Sequence, residues 1–171
     1  MSVPIQTPTK GPSPRLPDGL VASSTFLLKR LGYAAKERSL KAYEPTGLHP
    51  YHYAILLTLE ARSHETQSSI ADALGYDRGQ LVGLLDELEE HGLVERRRDP
   101  NDRRRHVVSL TDEGARTLRR LRDVAQVAED EFLAPLNEQQ RADLHALLLR
   151  LAAHHEPRCA PIVESVGGSS S

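Results

Sequence analysis

The chain has 171 residues, 22 Lys and Arg against 24 Asp and Glu for a formal charge of -2, 39% hydrophobic residues and a single cysteine. That length suits one ordinary domain with its own core; the lone Cys159 excludes an intramolecular disulfide, and no apolar run approaches the ~18 residues of a membrane span, so a cytoplasmic protein with no membrane partner is expected. A chain with a slight negative excess binds polyanions only through a local surface on which its cations are segregated.

Residues 1–17 carry Pro4, Pro8, Pro12, Pro14 and Pro17 among few apolar side chains and read as a flexible N-terminal arm. A first helix is predicted from an Asp18 cap to about Tyr43, with Leu20, Leu27, Leu28, Leu31 and Ala35 as its stripe and Pro45 and Gly47 beyond its end. A second starts near Pro50, with Tyr53, Leu56 and Leu57 on neighbouring turns and Ile55 and Leu59 widening the face. A tight pair follows. Thr66 caps a helix to Leu74, Gly75 supplies a left-handed turn position, and Asp77 caps a helix that runs to about His91 and stops at Gly92. This is helix-turn-helix spacing, with the small Ala71 allowing close approach and Leu81, Leu84, Leu85 and Leu88 facing inward. Arg78, Gly79, Gln80, Val82 and Gly83 then occupy the N-terminal half of the second helix, the part of a recognition helix that reaches base edges. Ser68 and Ser69, at the start of the first, can donate to phosphates.

Asp99-Pro100 opens a turn between two short apolar runs, Leu93-Val94 and Val107-Val108 with Leu110. The hairpin so formed carries Arg96, Arg97 and Arg98 on its incoming arm and Arg103, Arg104 and Arg105 near its tip, a positive loop suited to phosphates and a minor groove. Glu87, Glu89, Glu90, Glu129, Asp130 and Glu131 fall on predicted helices instead. Next, Thr111 caps a helix to about Phe132 with Leu118, Leu121, Ala125, Ala128 and Phe132 as a narrow seam. Asn137 with Gln140 opens a last helix bearing Leu144, Leu147, Leu148 and Leu151. These stripes exceed the needs of one small lobe and point to a second copy of the chain. The fold class is therefore mainly α with a small β-hairpin wing. A single domain over 18–156 comprises a winged helix-turn-helix lobe at 48–112 and dimerisation helices at 18–44 and 115–156, and residues 157–171 form a flexible C-terminal tail.

Gly92-Leu93-Val94-Glu95-Arg96, Asp99-Pro100, Asp102-Arg103-Arg104, Leu110-Thr111 and Gly114 resemble the wing signature of the MarR family of bacterial transcriptional regulators, and the resemblance runs in register over residues 20–155. It implies a homodimer with interlocking first and last helices, bound to double-stranded DNA. It further implies repression from a palindromic operator relieved by a small aromatic or anionic effector, with no catalysis and no cofactor. By that resemblance Arg104 enters the minor groove, oriented by Asp102 through a local ion pair, Arg103 and Arg105 meet phosphate or groove, and Arg78 and Gln80 occupy DNA-facing positions; Arg97, on the basic incoming arm, joins them as a DNA-binding candidate. Gly83 departs from the pattern, since family members often place an arginine, a lysine or a hydroxyl residue there. Effectors of the family bind between the dimer helices and the winged lobe, which singles out Tyr33, Tyr51, His52 and Tyr53.

Two other classes compete with this reading. A metal- or redox-responsive regulator of the same fold would use His154, His155, Glu156 and Cys159, or His49 with His52. Zinc needs three or four converging ligands, however, and helical neighbours point about 100° apart. Cys159 has Arg158 as its only adjacent base, in a proline-flanked tail. A helical adaptor with no DNA partner explains the leucine seams but leaves the arginine wing without a purpose.

Overall fold

The computed structural model of the chain describes residues 15–62, 65–99, 102 and 105–160. Most of the expected N-terminal arm and C-terminal tail, together with Arg103 and Arg104, lie outside the described residues. The chain divides between Glu37 and Arg38 into two units.

In the first unit the expected single helix is interrupted. Asp18–Val21 form α1, and the long helix α2 spans Ser24–Tyr43. The cause is local: the Ser23 hydroxyl accepts a bond from the Phe26 amide at 3.4 Å, so a serine takes the capping position and restarts the helix. Leu20, Leu27, Leu28 and Leu31 are exposed here.

The second unit begins in the last turns of α2 and continues through a 3-10 turn, Glu44–Thr46, to α3, Pro50–Ala61. His49 caps α3, accepting from the Tyr51 amide at 3.2 Å, while the His49 amide donates to Nδ1 of His52 at 3.0 Å. Glu65–Thr66 form a short strand β1, then come α4 (Gln67–Leu74) and α5 (Arg78–Glu90). Strands β2 (Val94–Arg98) and β3 (His106–Leu110) are followed by α6 (Asp112–Phe132), α7 (Glu138–His155) and a 3-10 turn at Pro157–Cys159. The expected two-stranded wing is thus a three-stranded antiparallel sheet in the order β1-β3-β2. Thr66 serves twice, as the residue paired with Val107 and as the cap of α4, accepting from the Ser69 amide at 3.1 Å.

Core and wing are joined at one corner. Ile55, Leu56, Ile70, Leu81, Leu85, Leu88, Val108, Leu118 and Leu121 are all fully buried, so α3, α4, α5, α6 and β3 close on one apolar centre. Leu118 and Leu121 therefore belong to this core, and only the later part of the α6 seam is left over. Thr111 Oγ1 accepts from the Gly114 amide at 3.0 Å and donates to the Gly92 carbonyl at 2.7 Å, fixing the start of α6 to the base of the wing. Gly114 has a packing reason as well, because a Cβ there would stand 2.0 Å from the Leu93 carbonyl oxygen. At the far end Asn137 and Gln140 make the reciprocal capping box that opens α7, with bonds of 2.9 and 3.0 Å.

Candidate nucleic-acid interface

Two helices joined by a glycine turn form the candidate surface. Gly75 closes α4 at φ 66°, a conformation that disfavours any residue with a Cβ. Asp77 then caps α5, its carboxylate accepting from the Gly79 and Gln80 amides at 2.8 and 3.1 Å. Leu81, Leu85 and Leu88 anchor α5 inward, which leaves Arg78, Gly79, Gln80, Val82 and Gly83 exposed along its first turns. The bared side chains carry guanidinium and amide groups, the chemistry that pairs with guanine and adenine edges.

The wing is held to this helix by Arg96. Its backbone amide and its Nε donate to the Glu89 carboxylate at 3.2 and 2.9 Å, and Nη2 lies 2.6 Å from Asp86. With its side chain only 21% exposed, Arg96 is a fastener, and its bond holds the Glu89 carboxyl below the usual carboxylate range. Its neighbours behave differently. Arg97 and Arg98 are exposed on the same strand, and among the described residues Arg97 pairs with Glu95, two residues back, at 3.0 Å. Across the turn, the Arg105 amide donates to the Asp102 carbonyl at 2.9 Å and its Nε stands 3.5 Å from the Asp102 carboxylate. Asp102, expected to orient Arg104, thus has Arg105 as a partner among the described residues.

Wing and helix pair also share a cleft of about 330 Å³, lined by Thr66, Gln67, Ser68, Ser69, Asp72, Arg105 and His106. The structure therefore brings Ser68 and Ser69 together with Arg105 at the N-terminus of α4. Ser68 is exposed, whereas the Ser69 hydroxyl donates to the Thr66 carbonyl at 2.8 Å.

Tyr33, Tyr51, His52 and Tyr53 have four different settings. Tyr33 is 62% exposed on α2, in the first unit. Tyr51 packs between His49 and Tyr76, and Tyr53 packs on the buried Tyr43. His52 is 3% exposed, with Nε2 3.1 Å from a Glu87 oxygen, close enough for an ion pair but out of hydrogen-bonding alignment. Burial is the main influence on this imidazole and lowers its pKa, against an opposing pull from Glu87. A larger cavity, of about 530 Å³, lies elsewhere: Ala42, Val124, Val127 and Ala128 form its apolar wall, with Arg38, Lys41, Asp123 and Glu131 around them. Sequence reasoning missed it, because its walls come from two helices distant in the chain. His154 and His155 sit edge to face at 4.8 Å, and among the described residues no three His, Cys, Asp or Glu side chains are grouped to hold a metal ion. Nor is any helix among them long and apolar enough to cross a membrane.

Residues 46–105, the span from the turn before α3 to the wing tip, match the MarR family model. A Thauera aromatica protein named for transcriptional regulation of the hcr operon is 32% identical over 127 residues, 74% of this chain and 76% of the relative. The chain belongs to the MarR family. As a MarR-family protein it is a DNA-binding transcriptional regulator with a winged helix fold. Its likeness extends to solved structures. The transcriptional repressor CouR bound to a 23-mer DNA duplex is 35% identical, with 82% of this chain covering 99% of that one at a TM-score of 0.74. A CouR from Rhodococcus jostii RHA1 bound to p-coumaroyl-CoA is 28% identical, with 80% covering 96% at a TM-score of 0.67.

Proposed function

We propose that this MarR-family regulator is a homodimeric repressor that grips a palindromic operator and is released by a small amphipathic anion. The Arg96 clamp carries the DNA half of the reading, because it makes the basic wing and the recognition helix one rigid tool. In this reading Arg78 and Gln80 meet base edges. Ser68, Ser69, Arg97 and Arg105 line the path of a phosphate backbone, and Arg103 and Arg104, with Asp102, carry the wing into the adjoining groove. The DNA-bound CouR relative supports that arrangement.

Dimerisation is supported by α7, which buries no residue and leaves Leu147, Leu148, Leu149 and Leu151 exposed. An apolar face of that kind calls for a partner, and a two-fold pair sets two recognition helices about 34 Å apart on one face of a duplex. The effector is supported by the larger cavity, whose volume suits a small molecule. Arg38 and Lys41 can meet a carboxylate while Val124 and Val127 cover a ring; Arg38 reaches Glu131 by a 3.4 Å bond to its carbonyl and stands 4.0 Å from its carboxylate. The experiment is a thermal-shift screen of aromatic carboxylates followed by DNA titration with each hit. A ligand moves the equilibrium only through unequal affinity for the two dimer geometries, so at least one stabilising compound weakens operator binding and loses its effect in Arg38→Ala. Stabilising compounds that all leave operator affinity unchanged contradict release through this cavity.

A further inference from the structure

We propose that Val82 reads a thymine methyl group in the major groove, and that Gly79 and Gly83 bare the backbone of the recognition helix so that it seats deeply enough to do so. The proposal rests on the DNA-binding reading above and adds the base that this helix selects. Val82 is 43% exposed on α5, on the solvent side of a helix whose buried residues are Leu81, Leu85 and Leu88. Gly79 lies one turn before it and Gly83 directly after it, so no side chain at those positions screens its methyl groups.

The fold itself has no use for a glycine at position 83 and only a local one, beside the Asp77 cap, at position 79. Both lie inside α5, and positive φ among the described glycines is confined to Gly47, Gly75 and Gly92. A Cβ at position 83 would meet nothing within 4 Å, and one at 79 only the Asp77 capping carboxylate at 3.1 Å. Glycine in a helix interior lowers stability relative to alanine, so Gly83, with no internal packing role, points to a surface that comes close from outside; Gly79, in the capped first turn, leaves the same side of the helix bare. Valine neither donates nor accepts a hydrogen bond, and thymine alone presents a methyl group in the major groove. Asp86, one turn on, is paired with Arg96 at 2.6 Å. Gln80, exposed on the first turn, suits adenine. Together they select A·T pairs.

The test uses the full chain and duplexes selected by it from a random library. Each thymine of the selected duplex is replaced in turn by deoxyuridine, which lacks only the methyl group, and affinity is read by fluorescence anisotropy for the parent, Val82→Ala and Gly83→Ala. One thymine in each half-site should show a loss of about fourfold per methyl in the parent. Val82→Ala should bind the thymine duplex more weakly by a similar factor and be indifferent to deoxyuridine at that position alone. Gly83→Ala should lose affinity for the selected duplex while keeping its affinity for a scrambled one. Thermal unfolding of both variants at or above the parent's temperature confirms that the fold is kept, alanine being a better helix former than either residue it replaces. A Val82→Ala profile identical to the parent's at every thymine overturns the methyl contact, and a Gly83→Ala protein as tight as the parent overturns the bare ridge. Selection that enriches no sequence is a different result and removes the DNA-reading assignment together with this one.

Discussion

Among the described arginines of the wing, Arg96 is set apart by what it touches. Three short side-chain contacts, from Nε and Nη2 to Glu89 and from Nη2 to Asp86, hold a side chain that is only 21% exposed, and removing it leaves two carboxylates side by side against the strand. Arg96→Met should therefore lower folding stability by about 1–2 kcal/mol, seen in urea unfolding, and weaken DNA binding more than Arg98→Ala, although only Arg98 is exposed. Equal effects of the two on affinity contradict the fastening role. His52 gives a pH dependence. Its Nδ1 accepts the His49 amide bond, so the neutral ring belongs to the folded state, and burial keeps its pKa below the ordinary histidine value. The unfolded chain takes up this proton near pH ~6.5 and the folded chain only at lower pH, so the unfolded state binds more protons between the two. The contribution is complete above the unfolded value and is lost as pH falls through the folded one. Urea midpoints should drop as pH falls from 7.5 towards 5, and His52→Gln should flatten that drop, since Gln140 already fills the same capping role at the start of α7. An unchanged slope in His52→Gln removes His52 as its source.

The wing and the recognition helix make different contributions that salt can separate, because phosphate contacts position while base contacts specify. Arg105→Ala should weaken binding to operator and scrambled duplex alike and reduce the salt slope of a dimer by about 2. Gln80→Ala should cost roughly 1–3 kcal/mol per half-site on the operator only, with the slope unchanged. Anisotropy at several salt concentrations reads both, and a uniform loss from Gln80→Ala contradicts base reading. These elements were legible in the sequence because their boundaries are local. Thr66, Asp77, Thr111 and Asn137 each bond to an amide two or three residues on, and Gly75 and Gly92 take the left-handed positions their sequence context demands. What escaped was either too short or too distant to leave a pattern. Two residues, Glu65 and Thr66, show no alternation that marks a strand. The clamp joins Arg96 to residues on another element, so a run of like arginines in the sequence conceals one with a structural task. The cavity beside Arg38 arises only when α2 and α6 pack.

At the scale of the molecule, a chain of net charge -2 concentrates six arginines on the wing and ties carboxylates to fixed partners elsewhere, as Glu89 and Asp86 are to Arg96 and Glu60 is to Arg122. The proposed function also requires a partner copy. Leu147 is 61% exposed within one chain, so Leu147→Asp should leave the monomer folded while a charge placed in the interface prevents pairing; sedimentation should then show the single mass, and a variant that still sediments at the double mass contradicts a dimer built on α7. The account as a whole turns on whether two clamped wing-and-helix units act together on one duplex. The most direct measurement is sedimentation of the full chain with its selected duplex, alongside a scrambled duplex, over a range of salt. Two protomers per selected duplex, with a preference over the scrambled one that persists as salt rises while both affinities fall, is the predicted result. A single protomer per duplex, or equal affinity for the two sequences at every salt concentration, would contradict it.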